Sequence, residues 1–313
     1  MRVVFFGSPD FAVPSLRALL GEGFDVPAVV TQPDKPRGRS RSTLVPPPVK
    51  VAAQAEGVPV LQPERPTGAS FLRQLAELRP DVGVVVAYGH ILKLEVLTTP
   101  PRGMVNVHPS LLPALRGAAP IEWAILNGLD TTGVSIIQMD PAMDAGPVLL
   151  QLPMPIPPDG TGGELTARLA ELGAQALVEA LALLEQGAVT PVPQDATRAT
   201  YAPKLTRDTA RIDWTRPPEA VARTVRALDP RPGAWTELRG SGERGAVEVK
   251  VFGARTVNAA GHPGEVLETA GQVLVAAGSG AVAVDEVQPA GKSRMPAADW
   301  MRGRGVRPGD RFA

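Results

Sequence analysis

The run Asp81–Ala87, DVGVVVA, constrains this chain more than any other stretch. Four valines with Gly83 and Ala87 leave no polar face after Asp81, so a strand made of them has to be covered on both sides. Arg2–Phe6, Asp25–Thr31, Gly103–His108 and Gly133–Gln138 read as further strands. Helical spacing follows at Val13–Leu20, from Lys50 to Ala55, and at Pro120–Leu126. Apolar strands alternating with helices predict a doubly wound, Rossmann-like α/β domain with a parallel sheet. Ligands of such sheets bind beyond the carboxyl ends of the strands. The first strand runs into Gly7-Ser-Pro and lacks G-x-G-x-x-G, so a dinucleotide is not expected.

Asn106 and His108 stand at one such carboxyl end. They are two residues apart, so an extended backbone sends both side chains to one face. An amide donor beside an imidazole suits a carbonyl whose oxygen gains charge during reaction. A solitary His-Pro pair at a strand end is otherwise a turn cap. The chain has no cysteine and only 3 histidines, none in H-x-x-x-H spacing, so neither a metal site nor a Cys nucleophile is expected.

Composition excludes little else. Net charge is zero, so no overall basic character announces nucleic acid. No apolar run approaches the roughly 18 residues of a membrane span. MRVVFF is too short, and too soon followed by Gly-Ser-Pro, for a signal peptide. These features, with the missing cysteines, suit a cytoplasmic protein. No amphipathic stripe is left unassigned, which suits a monomer.

Between Thr31 and Lys50 lies an insertion-like stretch, TQPDKPRGRSRSTLVPPPVK, in which Lys35, Arg37, Arg39, Arg41 and Lys50 face one acid, Asp34. It reads as a solvated loop or a phosphate contact. Thr161-Gly-Gly-Glu164 is a capping-box pattern, and the helix it starts stops near Gly187. Ala188–Lys204 is polar, carries three prolines and has no periodicity, so it reads as a linker. Residues 205–313 then give a helix at Pro218–Ala227 and short strands at Ala234–Leu238, Ala246–Phe252, Gly264–Thr269, Val273–Ala276 and Ala281–Val287. A short helix is read at Ala297–Arg302. Such a series suggests a small barrel. The predicted organisation is therefore a domain over 1–187, a linker over 188–204 and a second domain over 205–313.

NVHPSLLPALRGAAPIEWAI (106–125) and MDPAMDAGPVL (139–149), in that order, resemble the formyltetrahydrofolate-dependent formyltransferases. VVFFGSPDFAVPSL at the start and YAPKL…RIDW at the join extend the resemblance over most of the chain, closest to the methionyl-tRNA branch. The resemblance implies 10-formyltetrahydrofolate as formyl-donor co-substrate, initiator methionyl-tRNA as acceptor, and no metal. It implies an OB-like barrel that binds tRNA for residues 205–313. By this resemblance Asn106 and His108 stabilise the oxyanion and Asp144 manages the proton, holding His108 charged; Asp140 is its rival. Ser110, Leu111, Leu112, Pro113, Ile91 and Leu92 would shape the folate pocket, aided by Arg116 and Gly117. Arg37, Arg39 and Arg41 would meet tRNA. His90 falls at no catalytic position. A nucleotide-linked amino sugar as acceptor, hydrolysis of the folate, glycinamide ribonucleotide as acceptor, or a non-catalytic RNA-binding role are the alternatives.

Overall fold

The structure, a computed structural model, describes residues 1–37, 43–239, 246–267 and 271–313, apart from the Arg37 side chain. The chain forms two compact units. The first holds Met1–Pro120, Thr131–Pro155 and Thr166–Ala202. The second holds Ile121–Asp130, Ile156–Leu165 and Pro203–Ala313.

In chain order, residues up to Ala202 form β1 (Val3–Gly7), α1 (Val13–Gly21), β2 (Val29–Val30), β3 (Lys35–Arg37), β4 (Thr43–Val45), α2 (Pro48–Ala55), β5 (Val60–Leu61), α3 (Ala69–Glu77) and β6 (Val82–Val86). Then come α4 (Leu94–Leu97), β7 (Met104–His108), β8 (Arg116–Gly117), α5 (Pro120–Leu126), β9 (Thr131–Gln138), β10 (Val148–Pro155), α6 (Gly162–Glu185) and β11 (Tyr201–Ala202).

The main sheet has the order β10-β9-β7-β6-β1-β2-β5. β1, β2, β6 and β7 are parallel, as expected, and so is β5, a two-residue strand that the sequence reading missed. β9, expected among them, instead runs antiparallel to β7, and β10 antiparallel to β9. An apolar run carries no direction, and here the chain re-enters the sheet from the end it left. The missed strand β10 alternates in burial and contains Pro153 and Pro155, which an edge strand tolerates.

Both faces of this sheet are covered. Val4, Phe6, Val30, Val85 and Met104 pack with Phe71 and Leu75 of α3, with Val96 and Leu97 of α4, and with Tyr88 and Leu92. Val107, on the opposite face, meets α6 at Gly173, where a Cβ would lie 2.8 Å from the valine. Within 32–48, β3 pairs antiparallel with β4, and Lys50 is bonded to Asp34 at 2.8 Å.

The second unit carries α7 (Pro218–Ala227), β12 (Ala234–Arg239), β13 (Val247–Val257), β14 (Val266–Leu267), β15 (Val273–Ala277), β16 (Gly280–Pro289), β17 (Met295–Pro296), α8 (Ala297–Arg302) and β18 (Arg311–Phe312). Its antiparallel sheet has the order β14-β15-β16-β13-β12-β18, with β17 on β16. The two ends of that order meet. Phe312 N–H donates to Gly264 O at 2.7 Å and Val266 N–H to Asp310 O at 2.9 Å, which closes the sheet into a barrel. Trp214 stacks on Phe312 inside it and donates from Nε1 to Thr236 Oγ1 at 3.0 Å. Of the strand expected at 264–269, Glu268 and Thr269 lie outside the described residues.

Candidate active site

β7 delivers His108 to the carboxyl end of the sheet with 4% of its surface exposed. Its Nε2 lies 3.0 Å from the carbonyl oxygen of Leu115. A carbonyl only accepts, so Nε2 carries the proton. Burial pushes the imidazole pKa down, and this outweighs the opposing pull of Asp144 and of the Leu115 bond. The ring therefore rests neutral, with Nδ1 bare. Nδ1 faces Asp144 Oδ1 at 3.7 Å, beyond hydrogen-bond length. Two acceptors thus lie side by side, both within reach of a donor placed next to them.

Both neighbours of the ring are held in the left-handed region, Leu115 at φ +58 and Asp144 at φ +49. For residues other than glycine such a conformation costs about 1–3 kcal/mol and persists where surroundings enforce it. Leu115 N–H donates to Thr200 Oγ1 at 2.9 Å, while Thr200 N–H donates to Pro113 O at 3.3 Å and Thr200 O accepts from Arg116 N–H at 2.9 Å. Asp144 Oδ2 accepts from Gly117 N–H at 2.8 Å. Gly117 has to be glycine: φ is +121, and a Cβ would sit 2.7 Å from Ala202 O, across the β8–β11 pairing. Gly146 permits the return of the Asp144 loop, since a Cβ there would meet Gln138 O at 1.8 Å.

Gln194 completes the arrangement. Its Oε1 accepts from Arg116 Nη2 at 2.7 Å and from Nε at 3.1 Å. Its Nε2 donates to Asp144 O at 2.8 Å and Gly146 O at 2.7 Å. Arg116 itself is buried. Neither Gln194 nor Thr200 stood out in the sequence; both fall in the stretch read as linker. The one local signal was Asp195-Ala-Thr197, whose carboxylate takes Thr197 N–H at 2.9 Å and so marks a built turn.

Asn106 shares the strand face of His108, is half-buried, and its amide makes no hydrogen bond among the described residues. The carboxylate of Asp140 takes Ala142 N–H at 2.8 Å and forms a turn, whereas Asp144 is the carboxylate beside His108. Ser110 is buried and donates to Ala114 O at 2.6 Å. Leu112 is buried too, while Leu111 and Pro113 are half-buried. Ile91 is 83% exposed, whereas Leu92 belongs to the core. Arg37 ends β3; Arg39 and Arg41 lie outside the described residues. His90 packs on the Tyr88 ring at 5.3 Å. Among the described residues no group of His, Asp or Glu is placed to hold a metal ion, and no helix is long and apolar enough to cross a membrane.

Residues 1–181 match the formyl transferase family, and residues 204–305 match the formyl transferase C-terminal domain. The chain belongs to the formyl transferase family. As a formyl transferase it is 49% identical over 316 residues to the methionyl-tRNA formyltransferase of Roseiflexus sp. (strain RS-1), covering 100% of this chain and 95% of the relative. With the methionyl-tRNA formyltransferase of Moorella thermoacetica it is 48% identical, covering 99% and 98%. Solved structures share the fold at lower identity. HypX from Aquifex aeolicus, in complex with tetrahydrofolic acid, superposes with a TM-score of 0.64 at 22% identity, covering 96% of this chain and 47% of HypX. The N-formyltransferase from Helicobacter canadensis, with folinic acid and dTDP-3-aminofucose, gives 0.68 at 17%, covering 90% and 97%.

Proposed function

We propose that this formyl transferase moves the formyl group of 10-formyltetrahydrofolate to the α-amino group of methionine on initiator methionyl-tRNA, with Asn106, His108 and Asp144 at the reacting atoms. One observation carries the chemistry: His108 Nδ1 lies 3.7 Å from the Asp144 carboxylate while Nε2 is engaged by the Leu115 carbonyl. The methionyl-tRNA acceptor rests on the whole-chain likeness to enzymes of that name.

The attacking amine comes alongside the pair, with its N–H groups directed at Nδ1 and Asp144. As its nitrogen bonds to the formyl carbon, the carbonyl electron pair moves to oxygen, and the nitrogen's proton passes to Nδ1. His108 becomes charged only at that point, beside Asp144, and with the Asn106 amide it donates to the oxyanion. Burial opposes a charge on the ring before that point, and Asp144 favours the charge once it forms. Collapse breaks the bond to N10, which takes the proton by way of His108, Asp144 or a water. A positioned acid–base group contributes about 10²–10⁴ in rate, and each oxyanion donor about 10²–10³.

On this reading Ile91, Leu111 and Pro113 offer surface to the folate, while Ser110, Leu112 and Leu92 hold that wall from behind. Arg37, Arg39 and Arg41 meet the acceptor's phosphates. Residues 1–187 carry catalysis and 205–313 contact tRNA, in a cytoplasmic monomer. The test is formyl transfer with charged initiator methionyl-tRNA, with a nucleotide-linked amino sugar, and with no acceptor. Formylmethionine made only with the tRNA is the expected result; turnover only with the sugar, or only in the control, overturns the acceptor.

A further inference from the structure

Each ring nitrogen of His108 has one partner, and each partner is a non-glycine residue in the left-handed region. Both are fastened by one short stretch far along the chain. Thr200 Oγ1 takes the N–H of Leu115, whose carbonyl fixes Nε2. Gln194 Nε2 takes the carbonyls of Asp144 and Gly146, while its Oε1 engages the buried Arg116. The residue after Arg116 is Gly117, whose N–H holds the Asp144 carboxylate. Asp144 is thus tied to β8 at its backbone through Gln194 and at its side chain directly. All four polar hydrogen-bonding capacities of the Gln194 amide are used within this knot.

We infer that Gln194 and Thr200 are positioning residues for the formyl transfer: the stretch from 194 to 202 clasps the two partners of His108 and thereby sets the tautomer and the proton-accepting geometry of its ring. The inference rests on the acid–base role proposed for His108. Its structural core, the control of the ring by Gln194 and Thr200, is measurable without any substrate.

The alternative is that the stretch merely anchors a surface segment. Anchoring would cost stability, but it would leave the ring of the folded protein unaltered. A clasp makes a narrower demand. Removing the Gln194 donors lets the Asp144 backbone relax away from the left-handed conformation, which moves the carboxylate from Nδ1. Removing the Thr200 hydroxyl frees Leu115, which loosens the bond fixing the proton on Nε2.

The experiment uses the full chain with Gln194→Met, Thr200→Val and Thr200→Ser. The ring nitrogens of the histidines are followed by proton–nitrogen correlation NMR. With only 3 histidines, His108 is assigned by elimination using His90→Gln and His262→Gln. In the Met and Val variants the His108 signals are expected to move: toward a lower titration midpoint with Gln194→Met, where Asp144 is the charged group withdrawn, and toward mixed tautomers with Thr200→Val. Their kcat should fall at least tenfold with the KM for the folate within threefold, and Thr200→Ser should restore both readouts. Unmoved His108 signals in the folded Met and Val variants overturn the inference, whatever their activity. If Gln194→Met does not fold, Thr200→Val and its serine rescue decide alone. If the signals move while kcat stands, it is the acid–base role of His108 that fails, and with it the claim that these residues serve the reaction.

Discussion

Asp144 Oδ1 stands 3.7 Å from the one nitrogen of His108 that Leu115 leaves without a proton. A carboxylate facing a bare imidazole nitrogen is mutually unfavourable until a proton arrives between them. On the proposed reading, the pair receives the hydrogen that an attacking amine gives up, and burial disfavours a charge on the ring before then.

Asp144→Asn should lower kcat by about 10²–10³ while the far-UV spectrum and melting temperature stay near wild type. The amide keeps an acceptor for Gly117 N–H but no longer stabilises the imidazolium. His108→Ala should lose at least as much. Near-wild-type turnover in either purified variant would remove that residue from the chemistry.

His108 also sets a pH dependence of stability. Its folded pKa lies below the ordinary 6.5, because burial disfavours the charged ring. Above that ordinary value both folded and unfolded rings are neutral and the contribution is fully present. It is lost as pH falls from there through the folded value, where the unfolded chain binds the proton more readily. Urea unfolding at about pH 7.5 and about pH 5 should show wild type losing more stability than His108→Asn. The acid limb of kcat/KM should likewise lie below the ordinary imidazole range. A limb at higher pH would contradict a ring neutral at rest.

Tyr88 is buried beside Phe6, its hydroxyl has no partner among the described residues, and burial pushes its pKa up to about 12. Tyr88→Phe deletes an unsatisfied polar atom and should leave stability unchanged or raise it by about 1 kcal/mol. Chemical denaturation checks this; a loss of that size would mean the hydroxyl is bonded.

Gly117→Ala meets both a φ of +121 and the Ala202 carbonyl. It should cost about 1–3 kcal/mol and, by moving the donor to Asp144, lower kcat as well. Denaturation and single-turnover rates on the same sample would reveal whether both fall together.

Arg37→Ala, Arg39→Ala and Arg41→Ala test the acceptor reading of residues 32–48. Each phosphate contact removed should reduce the slope of log affinity against log salt by about 1 for tRNA. The KM for the folate should not move. An unchanged salt slope in the triple variant would assign these arginines to solvation.

Much of this was readable in the amino-acid order. The five-residue apolar run Val82–Val86 has no stable place except a covered strand, and it forms one; Met104, Val105 and Val107 secure the neighbouring strand that carries Asn106 and His108. The capping box at Thr161 forms reciprocally, with Thr161 N–H on Glu164 Oε2 at 2.9 Å and Glu164 N–H on Thr161 Oγ1 at 3.2 Å. The direction of β9 was not readable, since periodicity is the same read either way. The pairing of β3 with β4 is three residues a side, too short for its alternation to rise above the prolines around it. Asn106 and His108 stood out because strand geometry pairs them. Gln194 and Thr200 act through contacts 50 and 85 residues away in sequence, which no local pattern carries.

The barrel of the second unit closes where Phe312 and Asp310 bond to Gly264 and Val266. This seam is the last part of the unit to leave a ribosome, so every earlier nascent chain presents β14 and β12 as open edges. Raw strand edges invite pairing with neighbouring chains. Until β18 pairs, both edges stay open to neighbouring chains, and a variant lacking Asp310–Phe312 would keep them open.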